Sequence, residues 1–241
     1  MRVALFIPCF VDQLVPQVGL ATARLLRRLG HDVTYPVGQT CCGQPALNAG
    51  AVPDATALAR RQLDVLARGD PEAVIAPSGS CVANLRKVWP HRTGERHPLL
   101  DRLYELTEFV TGVLGVTDAG GAFAGTVTVH DGCHPLRELG VRDGPRRLLD
   151  AVSGLRRVEM SPAGECCGFG GTFAVKFAEV SAGMGGRRVR AIEATGADAV
   201  VSTEPSCLMQ IDGLLRRKKS RVRALHIAEV LAGSSSGSAH E

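Results

Sequence analysis

Short apolar runs alternate along this chain with longer stretches in which apolar residues recur every three or four positions. "RVALFI" (2–7) is the first run and ends at Pro8-Cys9. "LATARLLRRLG" (20–30) follows with helical spacing and Gly30 as its stop. "DVTYPV" (32–37) predicts a strand, and "PDATALARRQLDVLARG" (53–69) a helix opened by Pro53 and Asp54. "AVIAPSGSC" (73–81) predicts a strand running into Cys81. The order then repeats. "TVTVHDGC" (126–133) leads to Cys133, "PRRLLDAVSG" (145–154) predicts a helix and "LRRVEM" (155–160) a strand. A helix is expected over about 174–195, with Gly183–Gly186 as the place for a break, and "ADAVVSTEPSC" (197–207) as a strand into Cys207. Between the two series, a helix is expected over 100–115, followed by the Gly/Ala-rich "DAGGAFAG" (118–125).

Alternating strands and helices imply an α/β fold with mainly parallel sheets and right-handed crossovers. The expected architecture is two pseudo-symmetric Rossmann-like halves, 1–98 and 126–232, joined by a connecting helix and linker at 99–125. The small-residue tail at 233–241 reads as disordered. In both halves the cysteines fall just past the C-terminal ends of strands, the edge where open parallel sheets bind ligands.

Composition narrows the function. Of 241 residues 45% are hydrophobic, enough for a real core. A net charge of +4 with only 4% aromatics argues against a nucleic-acid surface. No segment is long and apolar enough to span a bilayer, and "MRVALFIPCF" lacks the long apolar region and cleavage site of a signal peptide. The expected location is cytoplasmic. Stable disulfides are rare there, so eight cysteines point to metal or redox chemistry.

Their positions are 9, 41, 42, 81 and 133, 166, 167, 207. The gaps match pairwise, 32 with 33 and 39 with 40. This is a single Cys, a Cys-Cys-Gly and a single Cys, used twice. Adjacent Cα atoms lie about 3.8 Å apart across a trans peptide, too close for a relaxed disulfide. No Cys-x-x-Cys is present, so neither a thioredoxin-like site nor a zinc knuckle is indicated. Four thiols per half suit iron or zinc. Neighbouring thiols point to opposite faces of an extended chain, awkward for one ion and well placed to grip two irons of one cluster. An iron–sulfur cluster is therefore favoured, with a zinc-binding assembly scaffold as the alternative; spacing does not fix the cluster type, and the expectation is 4Fe-4S with one or two per chain. Gly43 and Gly168 suit a close approach of backbone to a bulky ligand. Gly170 and Gly171 can aim N–H groups at cluster sulfur or simply form a turn.

These residues resemble the cysteine-rich "CCG" domain family, which includes the heterodisulfide reductase B subunit and the iron–sulfur subunit of glycolate oxidase. Within it, "CCGQPALNAG", "APSGSC", "CCGFGGTFAVKFAEVSAGM" and "HIAEVLAG" are similar to the lactate-utilisation branch. The resemblance implies an iron–sulfur electron-transfer role in oxidising L-lactate to pyruvate. It also implies a ferredoxin-like iron–sulfur partner and a third lactate-utilisation component. The alternative within the same machinery is another 2-hydroxy acid such as glycolate. The heterodisulfide reductase type closes each repeat with Cys-x-x-Cys. Here the first of those positions is Ser78 in one half and Glu204 in the other, so the five-cysteine cluster does not carry over.

Other candidates flank the cysteines. His130, Asp131 and His134 surround Cys133 and suit hydrogen bonding to a cluster or proton handling. Glu204 is a candidate ligand or acid/base against a turn residue, and Lys176 a counter-charge against a solvated helix face. "RRKKSR" (216–221) is either a docking patch for an acidic surface or an exposed helix end. No Gly-x-Gly-x-x-Gly and no P-loop is present.

Overall fold

The computed structural model describes residues 1–233, so the tail expected over 233–241 lies outside the described residues from 234 onward. Eight strands are present among them: β1 (Arg2–Leu5), β2 (Asp32–Thr34), β3 (Ala73–Ala76), β4 (Leu103–Glu105), β5 (Ala122–Val129), β6 (Ser153–Val158), β7 (Ala199–Ser202) and β8 (Arg223–His226). They form two four-stranded sheets, ordered β2-β1-β3-β4 and β6-β5-β7-β8. Every pairing is parallel. The two orders are the same permutation, so the fold is an α/β pair of Rossmann-like halves.

Residue alternation explains how the sheets are buried. Val3, Leu5 and Ile7 of the first run, and Ala73 and Ile75 of β3, face one shared apolar core. Val127 and Val129 of β5, and Ala199 and Val201 of β7, enter the same core from the other sheet. It is completed by Leu25 and Leu26 of helix Pro16–Arg28 and by Ile227 and Leu231 of helix Ile227–Leu231. The opposite faces, Ala4 with Phe6 and Val200, pack into an outer cluster in each half. Strands covered on both faces read as continuous apolar runs.

Four local expectations change. The helix expected over 100–115 is broken. Leu103–Glu105 pairs with β3 as an edge strand, because Leu103 and Glu105 are buried there. A helical turn, Leu106–Glu108, and a π-helical turn, Phe109–Val113, follow. β5 already begins inside the Gly/Ala-rich stretch. The helix near 174–195 is two pieces, Thr172–Lys176 and Ala178–Ala194. Its break is at Phe177, not at the glycines. Gly185 instead lets helix Pro205–Arg217 approach, since a Cβ there would lie 2.3 Å from Leu214 Cδ1. That helix, β8 and the helix Ile227–Leu231 were not expected from periodicity. Lastly, β3 ends at Ala76 and β7 at Ser202, so Cys81 and Cys207 lie in the first turns of helices Gly79–Ala83 and Pro205–Arg217 rather than on strand ends. No helix among the described residues is long and apolar enough to cross a membrane.

Candidate metal centre

In each sheet the chain leaves the central strand in one direction and returns on its other side. The switch points lie between β1 and β3 and between β5 and β7. Cys9 and Cys133 open the helices Cys9–Leu14 and Cys133–Glu138 that follow β1 and β5. Cys81 and Cys207 sit in the first turn of the helices that follow β3 and β7. Four single cysteines thus occupy the crevices where parallel sheets place ligands. The Cys-Cys loops are brought over them. Gln39 binds the end of β1, accepting from Ile7 N at 3.0 Å and donating to Leu5 O at 2.9 Å. Asn84 holds Cys42 by donating to its carbonyl at 3.0 Å.

All eight thiols line one cavity of about 120 Å³, which also takes in Phe10, Pro135, Phe169, Ser78, Ser80, Glu204 and Ser206. The two cysteine sets therefore share a chamber between the halves. Phe10 from one half and Phe169 from the other meet edge to face, 5.6 Å between centroids. Helix Gly79–Ala83 presses on Pro135, and a Cβ on Gly79 would lie 2.4 Å from Pro135 Cβ.

The thiols are free and close-packed. Cys9 Sγ lies 3.7 Å from Cys41 Sγ. Cys41 is held well below the usual thiol range, first by the Cys42 thiol and then by Cys9. Cys166 is lowered in the same way, first by Cys133 and then by Cys167. Backbone N–H groups help: Gly43 donates to Cys41 Sγ at 3.4 Å and Gly168 to Cys166 Sγ at 3.3 Å. The donating thiols, Cys9, Cys42, Cys133 and Cys167, are raised, each chiefly through its bond to that thiolate. One thiolate per half is stabilised, and the rest would release protons when metal binds.

Gly43 and Gly168 have φ of +83° and +84°. A Cβ would stand 2.6 Å from the Ala55 carbonyl oxygen at the first and 2.5 Å from that of Ser181 at the second. Their side-chain hydrogen faces a helix backbone, while their N–H serves the thiol. Gly170 and Gly171 line the cavity and also have positive φ; their carbonyls accept from Phe173 N and Ala174 N in the turn that opens the next helix.

Glu204 is buried and extends across the halves. Oε1 accepts from Ser78 Oγ at 3.2 Å and Ser206 Oγ at 3.0 Å, and Oε2 from Ser80 N at 2.7 Å. The two positions that lack the fifth cysteine are thus bonded to each other. His134 Nδ1 lies 3.6 Å from Cys133 Sγ. His130 is buried, and one of its ring nitrogens lies within 4.8 Å of the Cys167 and Cys207 thiols. Asp131 turns to a bidentate pair with Arg146, both bonds 2.9 Å. Lys176 is exposed outside the chamber, in a surface groove with Arg92. Arg216 and Arg217 end their helix, and Lys218 pairs with Glu193, so the basic run has a surface role in helix ending.

Arg188, Ser80 and Ser206 were not anticipated. Arg188 is fully buried and donates from Nε to His130 Nδ1 at 3.0 Å. In "GMGGRRVR" it looks like one basic residue among several on a solvated face. Its signal was the internal repeat, since the matching helix carries Gln62, also fully buried.

The cysteine-rich CCG domain matches twice, at residues 3–86 and 127–212. The lactate utilization protein A of Bacillus subtilis (strain 168) is 44% identical over 238 residues, 96% of this chain and 99% of that protein. The lactate utilization protein A of Macrococcus caseolyticus is 42% identical over 240 residues, 96% of each. Among solved structures, an aspartate racemase homologue from Pyrococcus horikoshii OT3 matches over 96% of this chain and 95% of that one, at 11% identity and a TM-score of 0.36, too low to carry an argument.

Proposed function

This chain belongs to the cysteine-rich CCG domain family, in its lactate utilization protein A group, and from that premise we propose that it is an iron–sulfur electron-transfer protein in the oxidation of L-lactate to pyruvate. The observation that carries the reading is the convergence of all eight thiols, four from each half, on one chamber at the two switch points. The donor set fits a cluster: thiolate-rich and served by glycine N–H groups, with adjacent cysteines that suit two irons better than one zinc. Cys9, Cys41, Cys42 and Cys81 would hold one 4Fe-4S group, and Cys133, Cys166, Cys167 and Cys207 a second. Bound clusters would supply one-electron acceptance, and two seats match the two electrons that leave a 2-hydroxy acid.

The chain's own residues prepare the site. Cys41 and Cys166 offer the first thiolates, and the raised thiols give up protons on loading. Phe10 and Phe169 add an apolar wall to the chamber where the halves meet. Glu204, held by three donors across the halves, fixes their separation and leaves little capacity to ligate iron. We take 1–98 and 126–232 as the repeat units, joined by 99–125, which adds the edge strand Leu103–Glu105 to the first sheet and the start of β5 to the second; the two family matches lie inside the units. A ferredoxin-like protein and a third lactate-utilisation component are the proposed partners, and the cytoplasm the proposed location.

The test is anaerobic purification with metal and sulfide analysis, paired with gene deletion. A brown protein holding iron and acid-labile sulfide, and a strain that no longer grows on lactate but grows on glycolate, support the reading. Colourless protein with stoichiometric zinc after anaerobic reconstitution overturns the cluster. Loss of growth on glycolate alone overturns the substrate.

A further inference from the structure

The duplication lets each residue around the second cysteine set be compared with its counterpart around the first. Phe6 stands three residues before Cys9, and His130 three before Cys133. The equivalence is structural: Phe6 N donates to Ile75 O on β3 at 2.9 Å, and His130 N to Val201 O on β7 at 2.8 Å. Gly43 and Gly168 abut the carbonyls of Ala55 and Ser181, and seven residues on from these come Gln62 and Arg188. Both are fully buried. One half therefore carries a phenyl ring and an amide where the other carries an imidazole and a guanidinium.

The two pairs differ in how well they are satisfied. Gln62 accepts from Thr40 N at 2.6 Å and lies 3.4 Å from Gln39 Oε1. Arg188 donates from Nε to His130 Nδ1 and from Nη1 to Pro162 O at 2.7 Å. Its Nη2 is buried with no partner, and so is His130 Nε2. Because His130 Nδ1 accepts from Arg188, the neutral ring carries its proton on Nε2. Two buried nitrogens that carry N–H groups are thus left open, and His130 lies beside Cys167 and Cys207. Of the acidic neighbours of Arg188, Glu165 makes no bond to it, and Asp131 is committed to Arg146. A buried guanidinium without a bonded carboxylate needs an anion nearby, and a metal–thiolate group is one.

We infer that Arg188 and His130 make the second cysteine set the more electron-attracting of the two, so that an electron given to this chain comes to rest at Cys133, Cys166, Cys167 and Cys207. The inference rests on the iron–sulfur reading above. Reduction adds negative charge, and hydrogen bonds to sulfur and a fixed positive charge favour the reduced form. Phe6 and Gln62 supply no charge on the first side, and the Gln62 amide is bonded at both its oxygen and its nitrogen. Arg188 acts through His130 and through its charge, as a positioning residue.

The test uses the full chain carrying Cys41→Ser and Cys42→Ser, reconstituted anaerobically so that only the second set is loaded, and titrated with visible absorbance and electron paramagnetic resonance. Arg188→Gln and His130→Phe each install the first half's residue. Both are expected to move the reduction midpoint to lower potential, with iron and sulfide content unchanged. Arg188→Lys, which keeps the charge, is expected to restore most of the shift, whereas a purely structural role would leave all three midpoints together. If circular dichroism shows that Arg188→Gln does not fold, His130→Phe decides. Iron bound with unshifted midpoints overturns this inference and leaves the iron–sulfur reading standing. No iron or sulfide in the unsubstituted chain overturns that reading, and this one with it.

Discussion

At the scale of single residues, Glu105 shows what burial does to a group away from the chamber. It is fully buried and caps the turn that follows β4, Oε2 accepting from Thr107 N at 2.8 Å and Glu108 N at 3.0 Å. Oε1 has no partner. Burial pushes its carboxyl up to about 7, against the pull of those bonds. The folded chain therefore keeps a proton that the unfolded chain releases near pH 4.5, so this group's contribution to stability falls as pH rises from about 4.5 through 7. Glu105→Gln keeps an acceptor and removes the titration. Urea unfolding at pH 5 and pH 8 is expected to show the variant gaining on wild type by at most about 3 kcal/mol at the higher pH; equal differences at both would refute it. Glu204 makes the opposite point. Its carboxylate meets three donors, so Glu204→Ala strands Ser80 N–H and should cost about 1–3 kcal/mol in the same assay, with Glu204→Gln milder. The cysteines were legible because thiol chemistry restricts where eight of them can cluster. The Ser78–Glu204 bond was not, because partners 126 positions apart leave no local pattern.

At the scale of elements, the central strands were legible for a physical reason. β1, β3 and β7 are covered on both faces, so each reads as an uninterrupted apolar run. Edge elements gave weaker signals. β8, "RALH", is only partly buried and begins on an arginine. Leu103–Glu105 was hidden within a helical-looking stretch and became a strand only because β3 offers it an edge. Short helices beginning at Cys9 and Cys133 were invisible to periodicity, being six residues each. The glycine after each Cys-Cys pair was legible as special, but its reason is partly tertiary. Positive φ and a helix carbonyl within 2.6 Å of the missing Cβ act together at Gly43, and the same holds at Gly168. Gly43→Ala and Gly168→Ala are each expected to cost about 1–3 kcal/mol and to lower Tm by several degrees in calorimetry. They should also reduce iron retained per chain, because the displaced N–H no longer meets the thiol. A melting temperature unchanged within a degree would show that the loop yields freely.

At the scale of the whole molecule, the question is whether two similar halves are two independent units. The packing says they are not. Val3, Leu5 and Ile75 from one sheet share a single core with Val127, Val129 and Val201 from the other. The helix Ile227–Leu231 packs on Pro16–Arg28 near the start of the chain. Arg28 ties them, donating to Ala119 O at 2.6 Å, to Ala232 O at 3.1 Å and to Leu231 O. Separating the halves would expose the inner face of each sheet, and each large apolar side chain uncovered there is worth roughly 1.5–3 kcal/mol. A domain of this size has only about 5–15 kcal/mol in hand, so a few such side chains exhaust it. Residues 1–120 expressed alone are therefore expected to bind a hydrophobic dye and to melt without a cooperative transition. Adding residues 121–241 in trans should restore cooperative melting, because the shared core reforms without any new covalent link. A sharp, reversible unfolding transition of the isolated first half would instead show that each repeat folds by itself and that the chamber is assembled by docking. The distinction bears on loading: if neither half folds alone, neither four-thiol set exists before the other, and the two seats fill on a scaffold that is already whole.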